Sequence, residues 1–283
     1  MRIDNLLIVG VGLLGGSIAL AARRRGVAAR VVGFGRRVDV LEQARNEGML
    51  DEVATRLADA AARSDLIVFC TPVDCIADQV LEAGAHCRPG TLLTDVGSTK
   101  ASIVRAVRGR LPAGVEFIGS HPLAGSEKHG PAHARADLLD GRLVLVTRDA
   151  GSSDNALSRI RAFWTELGAR VHVMDAEEHD RALALTSHLP HLLTSALAGI
   201  VTPDLYELTA SGFRDTTRLA AGHPGLWSAI FRDNQAHLLG ALDRLEEQLR
   251  QFRAALQQGD SDALEALLEQ AKKVRDELIR NQD

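Results

Sequence analysis

Leu6-Leu7-Ile8-Val9 runs directly into Gly10-Val11-Gly12-Leu13-Leu14-Gly15, and no other stretch restricts the fold as strongly. An unbroken apolar run of this length suits a strand buried on both faces. Ser17 to Arg25 then reads as a helix. The first glycine allows a tight turn and the second leaves room for a pyrophosphate at the helix N-terminus. The third lets helix and strand approach closely. Strand, G-x-G-x-x-G and helix in that order predict a dinucleotide site built on Gly10, Gly12, Leu13, Leu14 and Gly15.

The alternation continues. Strands are predicted at 30–34, 65–70, 91–96, 143–147 and 170–174, with helices at 38–48, 58–63, 74–86 and 155–168. A further strand end is read at 116–119. This pattern over residues 1–174 predicts a Rossmann-type, mostly parallel, doubly wound sheet. The turn at Thr71-Pro72 would pass near the cofactor. After Met174 the strand signals stop. Asp175-Ala176-Glu177-Glu178 starts a helix with acids in its first turn, and residues 175–283 read as an all-helical domain. Within it Leu238, Leu242, Leu245, Leu249, Phe252 and Leu256 follow a 4-3-4-3-4 spacing. This stripe packs either within the chain or across a dimer. Leu264, Leu267, Leu268, Ala271, Val274 and Leu278 form a last amphipathic helix.

Composition removes several function classes. A net charge of -4 with 4% aromatic residues gives nucleic acid neither an electrostatic nor a stacking surface. Cys70, Cys75 and Cys87 are odd in number and lack CxxC spacing, which fits a reducing compartment and no zinc site. No signal-peptide pattern opens the sequence, and no run approaches the ~18 apolar residues of a membrane helix. A cytoplasmic protein is expected.

Three further stretches carry chemistry. His121 lies at a strand's carboxyl end, in a loop stiffened by Pro122 and Gly125. It is either a turn cap or a proton acceptor at neutral pH. Ser98, in Gly97-Ser98-Thr99-Lys100, is either a helix N-cap or a hydroxyl presented at the sheet's carboxyl edge. His188 and His191, three residues apart, could share a helix face. Pro190 and the lack of a third ligand favour contact with substrate or cofactor over a metal. Arg218 could clamp a carboxylate with Asp215 orienting it, unless Arg214 and Asp215 form a surface pair. At the end of the second strand, Gly35-Arg36-Arg37 stands where NAD-binding folds carry an acid. The two arginines could hold a 2′-phosphate, so NADP is expected, with NAD as the alternative.

Together these residues resemble the prephenate/arogenate dehydrogenase family. The resemblance rests on Gly10 to Ser17, Asp95-Val96-Gly97-Ser98-Thr99-Lys100 and His121-Pro122-Leu123-Ala124-Gly125-Ser126-Glu127. It continues in Ser187-His188-Leu189-Pro190-His191 and Phe213-Arg214-Asp215-Thr216-Thr217-Arg218. It implies a Rossmann domain followed by a helical dimerisation domain, and oxidative decarboxylation of prephenate or arogenate in tyrosine biosynthesis. It also implies His121 as base, Ser98 holding His121 or the substrate hydroxyl, Arg218 on a carboxylate, His191 lining the site, and Glu127 closing it. No metal is implied. Two other readings compete: a related β-hydroxyacid dehydrogenase, and a non-catalytic NADP sensor. The first relies on a lysine in its helical domain, yet here only Lys272 and Lys273 follow Lys128. The second needs no set of His121, Ser98 and Arg218.

Overall fold

The computed structural model describes residues 3–124 and 130–280. The chain divides into two compact units, Met1–Gln235 and Ala236–Asp283. The helices that follow the last strand, as far as Gln235, group with the first unit.

The first unit opens with strand β1 (Ile3–Val9), helix α1 (Leu13–Arg24), β2 (Ala28–Phe34), α2 (Val38–Asn46) and β3 (Glu52–Val53). Then come α3 (Leu57–Ala61), β4 (Leu66–Phe69), α4 (Val73–Gly84), β5 (Leu92–Asp95), α5 (Ala101–Val107) and β6 (Glu116–Ile118). These six strands form one parallel sheet in the order β3-β2-β1-β4-β5-β6. The order reverses between β1 and β4, which is where doubly wound sheets open a crevice at their carboxyl edge.

The continuous apolar strands are explained by cover on both faces. Side chains alternate along a strand. Leu6 and Ile8 of β1 therefore enter one core with Ile18, Val68 and Trp164, while Leu7 and Val9 enter a second core with Ile67, Phe69, Ile76 and Leu93.

The remaining strands depart from the expected single sheet. β7 (Ser120–Pro122), β8 (Leu143–Thr147) and β9 (Arg170–Met174) form a separate three-stranded sheet. β7 runs antiparallel to β8, and His121 is paired with Leu145. His121 thus sits on a short strand rather than in a loop. Pro122 is tolerated because β7 is an edge strand, where one side needs no ladder donor. Helix α6 (Asp154–Glu166) joins β8 to β9, with Ser153 capping its N-terminus through Ala156 N.

Four more helices complete this unit: α7 (Ala176–Leu183), α8 (Leu189–Gly199), α9 (Ser211–Thr217) and α10 (Pro224–Asp233). A single π-helical turn, Ala184–His188, connects α7 to α8. The Asp175 carboxylate accepts hydrogen bonds from Glu177 N and Glu178 N and caps α7, as its position before two acids predicts.

The second unit holds most of α11 (Gln235–Gln258) and all of α12 (Ser261–Arg280). The stripe on α11 is only partly covered. Leu238 is buried and Leu242, Leu245 and Phe252 are half-buried, but Leu249 and Leu256 are exposed. On α12, Leu268, Val274 and Leu278 are exposed as well.

The glycine turn shows which positions the scaffold itself requires. Gly10 has φ +95°, and a Cβ there would lie 2.8 Å from Cys70 O. A Cβ at Gly15 would overlap the Gly10 carbonyl oxygen and press on Ile8, whereas one at Gly12 would meet nothing within 4 Å. Gly15→Ala should therefore cost about 1–3 kcal/mol through overpacking, and Gly12→Ala should leave stability nearly unchanged. Thermal unfolding of the two variants checks this; equal losses would refute the packing argument.

Candidate active site

The carboxyl edge of the large sheet gathers the buried polar groups. Asp95, the last residue of β5, is fully buried, and its Oδ2 pairs with Lys100 Nζ and accepts from Gly97 N at 2.8 Å. Its Oδ1 accepts from Ser120 N at 3.0 Å. One carboxylate thus joins β5 of the large sheet to β7 of the small one. Ser120 Oγ accepts from the Trp164 indole at 2.9 Å and shares a hydrogen bond with Thr94 at 2.8 Å.

His121 follows Ser120 and is anchored from α7. Its Nδ1 lies 3.0 Å from His179 Nε2, and His179 Nδ1 lies 2.7 Å from Asp180 Oδ1. Asp180 also accepts from Lys100 N at 2.8 Å and Ala101 N at 2.9 Å, which caps α5 from outside its own chain segment. Burial opposes the Asp180 charge. The hydrogen bond and charge of His179 and the two backbone N–H groups outweigh it and hold the carboxyl below its usual range.

These contacts fix the protons. An ionised Asp180 only accepts, so His179 Nδ1 carries the hydrogen and Nε2 accepts from His121 Nδ1–H. The lone pair of neutral His121 is therefore on Nε2. Burial, helped by His179, Lys100 and His188, drives the His121 pKa well below 6.5. At neutral pH the ring is neutral and Nε2 is unprotonated, as a base must be.

The other predicted residues fall as follows. Ser98 is half-buried in the segment between β5 and α5, and among the described residues its hydroxyl makes no hydrogen bond to His121. That partner position is taken by His179. Gly97-Ser98-Thr99-Lys100 also does not open a helix, since α5 begins at Ala101, where the Asp180 cap acts. His188 is buried at the end of the π-turn, and His191 lies on α8, stacked on Trp227 with ring centroids 3.4 Å apart. Arg218 is exposed just after α9, and its charge reaches His191. Among the described residues neither Arg218 nor Asp215 has an ion-pair partner, so Asp215 does not orient Arg218, and it does not pair with Arg214. Glu127 and Gly125 lie outside the described residues.

At the switch point, Gly10 lies against Cys70 and Thr71, so the two predicted turns are adjacent. Thr71 Oγ1 is bonded to Gln79 Oε1 at 2.6 Å, and Pro72 precedes α4 as its N-cap. Leu13 and Leu14 form the first turn of α1. Arg36 and Arg37 are exposed; Arg37 is the N-cap of α2, Arg36 precedes it, and the Arg36 charge acts on Cys75 in the first turn of α4. A Cβ at Gly35 would touch only Leu41, at 3.9 Å. The open space at Gly12 and the unobstructed edge at Gly35 fit a dinucleotide.

Comparison with known proteins agrees with this architecture. Residues 18–173 match the family model "Prephenate dehydrogenase, nucleotide-binding domain", and residues 175–270 match "Prephenate dehydrogenase, dimerization domain". The chain belongs to the prephenate dehydrogenase family. It is accordingly an oxidoreductase that carries out oxidative decarboxylation in tyrosine biosynthesis. Among its relatives, the cyclohexadienyl dehydrogenase of Zymomonas mobilis is 33% identical over 96% of this chain and 94% of that protein. The prephenate dehydrogenase of Bacillus subtilis is 31% identical over 97% and 76%. The crystal structure of prephenate dehydrogenase from Aquifex aeolicus superposes with a TM-score of 0.89 at 28% identity, over 96% of this chain and 99% of that one.

His179 and Asp180 are not marked in the sequence, where they look like solvated residues in a polar helix start. The available signal was helical spacing. Ala176, Asp180, Leu183 and Ala184 share one face, and a carboxylate on an apolar stripe needs a buried partner.

Burial lowers the pKa of both His188 and His191 to about 4. Between about pH 6.5 and 4 the unfolded chain therefore binds more protons than the folded one, and stability falls as pH falls through this window. A displacement of this size in one histidine corresponds to at most about 3 kcal/mol. Asp180, whose folded pKa is lowered, adds its loss only at lower pH. Melting temperatures measured across this window should drop towards acid, and His188→Gln should flatten the slope. An unchanged slope in that variant would show that His188 is not a source.

Proposed function

We propose that His121 Nε2 is the base that takes the 4-hydroxyl proton of a cyclohexadienyl acid while C4 gives up hydride. The observation that carries this reading is the hydrogen-bonded series Asp180–His179–His121, which holds the ring in one tautomer with its lone pair available. Loss of the ring carboxylate as carbon dioxide breaks the C1–carboxylate bond and leaves an aromatic ring. The proton then returns from His121 to the phenolic oxygen, so protons and electrons balance. A nicotinamide dinucleotide, its pyrophosphate held by Gly10, Gly12, Leu13, Leu14 and Gly15 with Thr71 and Pro72 beside the turn, would supply the hydride acceptor. Ser98 donates to the substrate hydroxyl and keeps the reacting geometry. Arg218 holds a substrate carboxylate, with His191 and His188 lining the same site and Glu127 closing it. His191 is kept in place by Trp227 and is neutral at working pH, so it donates or accepts without adding charge. Asp215 belongs to the substrate side only through its neighbourhood in sequence.

Prephenate and arogenate differ in a keto against an amino group. Relatives named for each acid are similar to this chain: the Synechocystis arogenate dehydrogenase structure is 29% identical with a TM-score of 0.81, over 97% of this chain and 99% of that one. We assign the ring chemistry common to both. For the cofactor, Gly35 neither bonds a 2′-hydroxyl nor repels a 2′-phosphate, and Arg36 stands free to reach one, so NADP is preferred and NAD is used less well. An Aquifex aeolicus structure is described as a complex with hydroxyphenyl propionate and NAD+, which marks NAD as the alternative here. The match to a dimerization domain and the exposed leucines of α11 and α12 support a homodimer through the C-terminal helices. No described helix is long and apolar enough to cross a membrane, in keeping with a cytoplasmic enzyme.

Two measurements test the proposal. His121→Asn should lower kcat by on the order of 10²–10⁴ with prephenate or arogenate, as loss of a general base does, while circular dichroism stays unchanged. Near-normal turnover would remove His121 from the mechanism. Gly35→Asp, which the space around Gly35 admits, should invert the ratio of kcat/KM for NADP and NAD at fixed ionic strength. A parent that already prefers NAD would sink the arginine argument.

A further inference from the structure

Asn234 follows α10 and is buried, like His188. Its Nδ2 lies 2.7 Å from the main-chain oxygen of Asp180 and 3.0 Å from His188 Nδ1. A carbonyl oxygen can only accept, so the amide nitrogen, not its oxygen, faces Asp180; the contact itself fixes the orientation of the amide. That nitrogen has two hydrogens and no acceptor capacity. Its second hydrogen must go to His188 Nδ1, which therefore keeps its lone pair, and the proton of the neutral ring is on Nε2. His188 Nε2 is fully buried and has no hydrogen-bond partner among the described residues. The Ser98 backbone favours a proton on this ring but does not stand in hydrogen-bond geometry to Nε2. A buried N–H without an acceptor costs about 1–3 kcal/mol, and Asn234 and Asp180 are arranged so that it cannot be relieved by moving the proton.

We infer that Asn234 is a positioning residue that locks His188 as an N–H donor, and that Nε2–H is reserved for a neutral oxygen of the bound substrate or cofactor. The identity of that oxygen rests on the function proposed above: it is the substrate 4-hydroxyl or the nicotinamide carboxamide. A neutral donor suits such a partner, because it offers a hydrogen without placing another cation near Lys100 and His121. The charged and titratable groups that act on His188 are Asp180, His179 and His191. Of these, Asp180 favours a charged ring, and the two histidines oppose it.

The experiment is nitrogen-15 NMR of the full-length protein labelled at histidine, with His188 assigned by its loss in His188→Gln. In the free protein His188 should show an unprotonated Nδ1 and a protonated Nε2 throughout neutral and alkaline pH. A proton on Nδ1, or a mixture of tautomers, overturns the assignment. Adding NADP alone, and then 4-hydroxyphenylpyruvate alone, should shift the Nε2 signal in one arm, which names the oxygen. Binding in both arms with no shift in either refutes the ligand assignment. Absence of binding in either arm instead refutes the proposed function and leaves the tautomer result intact. Asn234→Asp supplies a kinetic readout. A carboxylate there accepts from Nδ1, so the neutral ring loses its Nε2 hydrogen, while the imidazolium at lower pH retains it. The variant should gain an alkaline limb in kcat/KM, falling up to about tenfold through the new His188 pKa, which the parent lacks. A folded variant with the parent's pH profile overturns the positioning role.

Discussion

The buried pair of Asp95 and Lys100 is the contact on which the rest of the site depends. An ion pair taken wholly out of water gains little unless every remaining lone pair and proton is used. Here Asp95 also accepts from Gly97 N and Ser120 N, while the backbone of Lys100 donates to Asp180. Burial lowers the Lys100 pKa and Asp95 opposes that shift. Each of these bonds leads to a different element: the segment before α5, the first residue of β7, and α7. The pair thereby holds together two sheets and a helix that share no strand ladder.

The same arrangement explains why a cluster so rich in histidines accumulates no charge. Desolvation is the leading influence on His121, His179, His188 and His191, and it keeps all four rings neutral near pH 7. Once the rings are neutral, hydrogen-bond direction replaces charge as the organising quantity. Asp180 sets the direction for His179, and His179 for His121. Electrostatics from Lys100 then discourages protonation of the two rings nearest it, His121 and His179. Buried polar networks of this type specify a single arrangement because a reversed proton leaves two donors or two acceptors facing each other.

Much of the scaffold was legible in the sequence, for identifiable reasons. β1 and β4 announce themselves because both their faces are buried, so alternation is replaced by an apolar run. The two-residue β3 and three-residue β7 are too short to show any period, and the division into two sheets depends on which strands pair, which no local pattern encodes. Pro122 argued for a loop, yet an edge strand accepts it. Within the site, His121 was readable from its position, whereas its partners were not: Asp180 and His179 sit among Glu177, Glu178 and Arg181 and share their composition. Only their placement on the apolar face of α7 distinguishes them. Of the two partners expected for Ser98, His121 pairs instead with His179, because the loop after β5 is held by Asp95 and Asp180 and the His121 ring faces α7.

The π-turn at Ala184–His188 has a consequence for how such a site can change over time. Widening a helix by one residue rotates everything beyond it by about 100° relative to an unbroken helix. His188 and His191 therefore owe their facing to one extra residue, while Asp180 and His179 precede it and keep theirs. Insertion or deletion of a single residue here would leave α7 and α8 intact as helices and disengage one half of the site from the other. Lineages that keep the fold could lose or regain the alignment in one step, with the length of this turn, rather than the identity of any side chain, as the inherited variable.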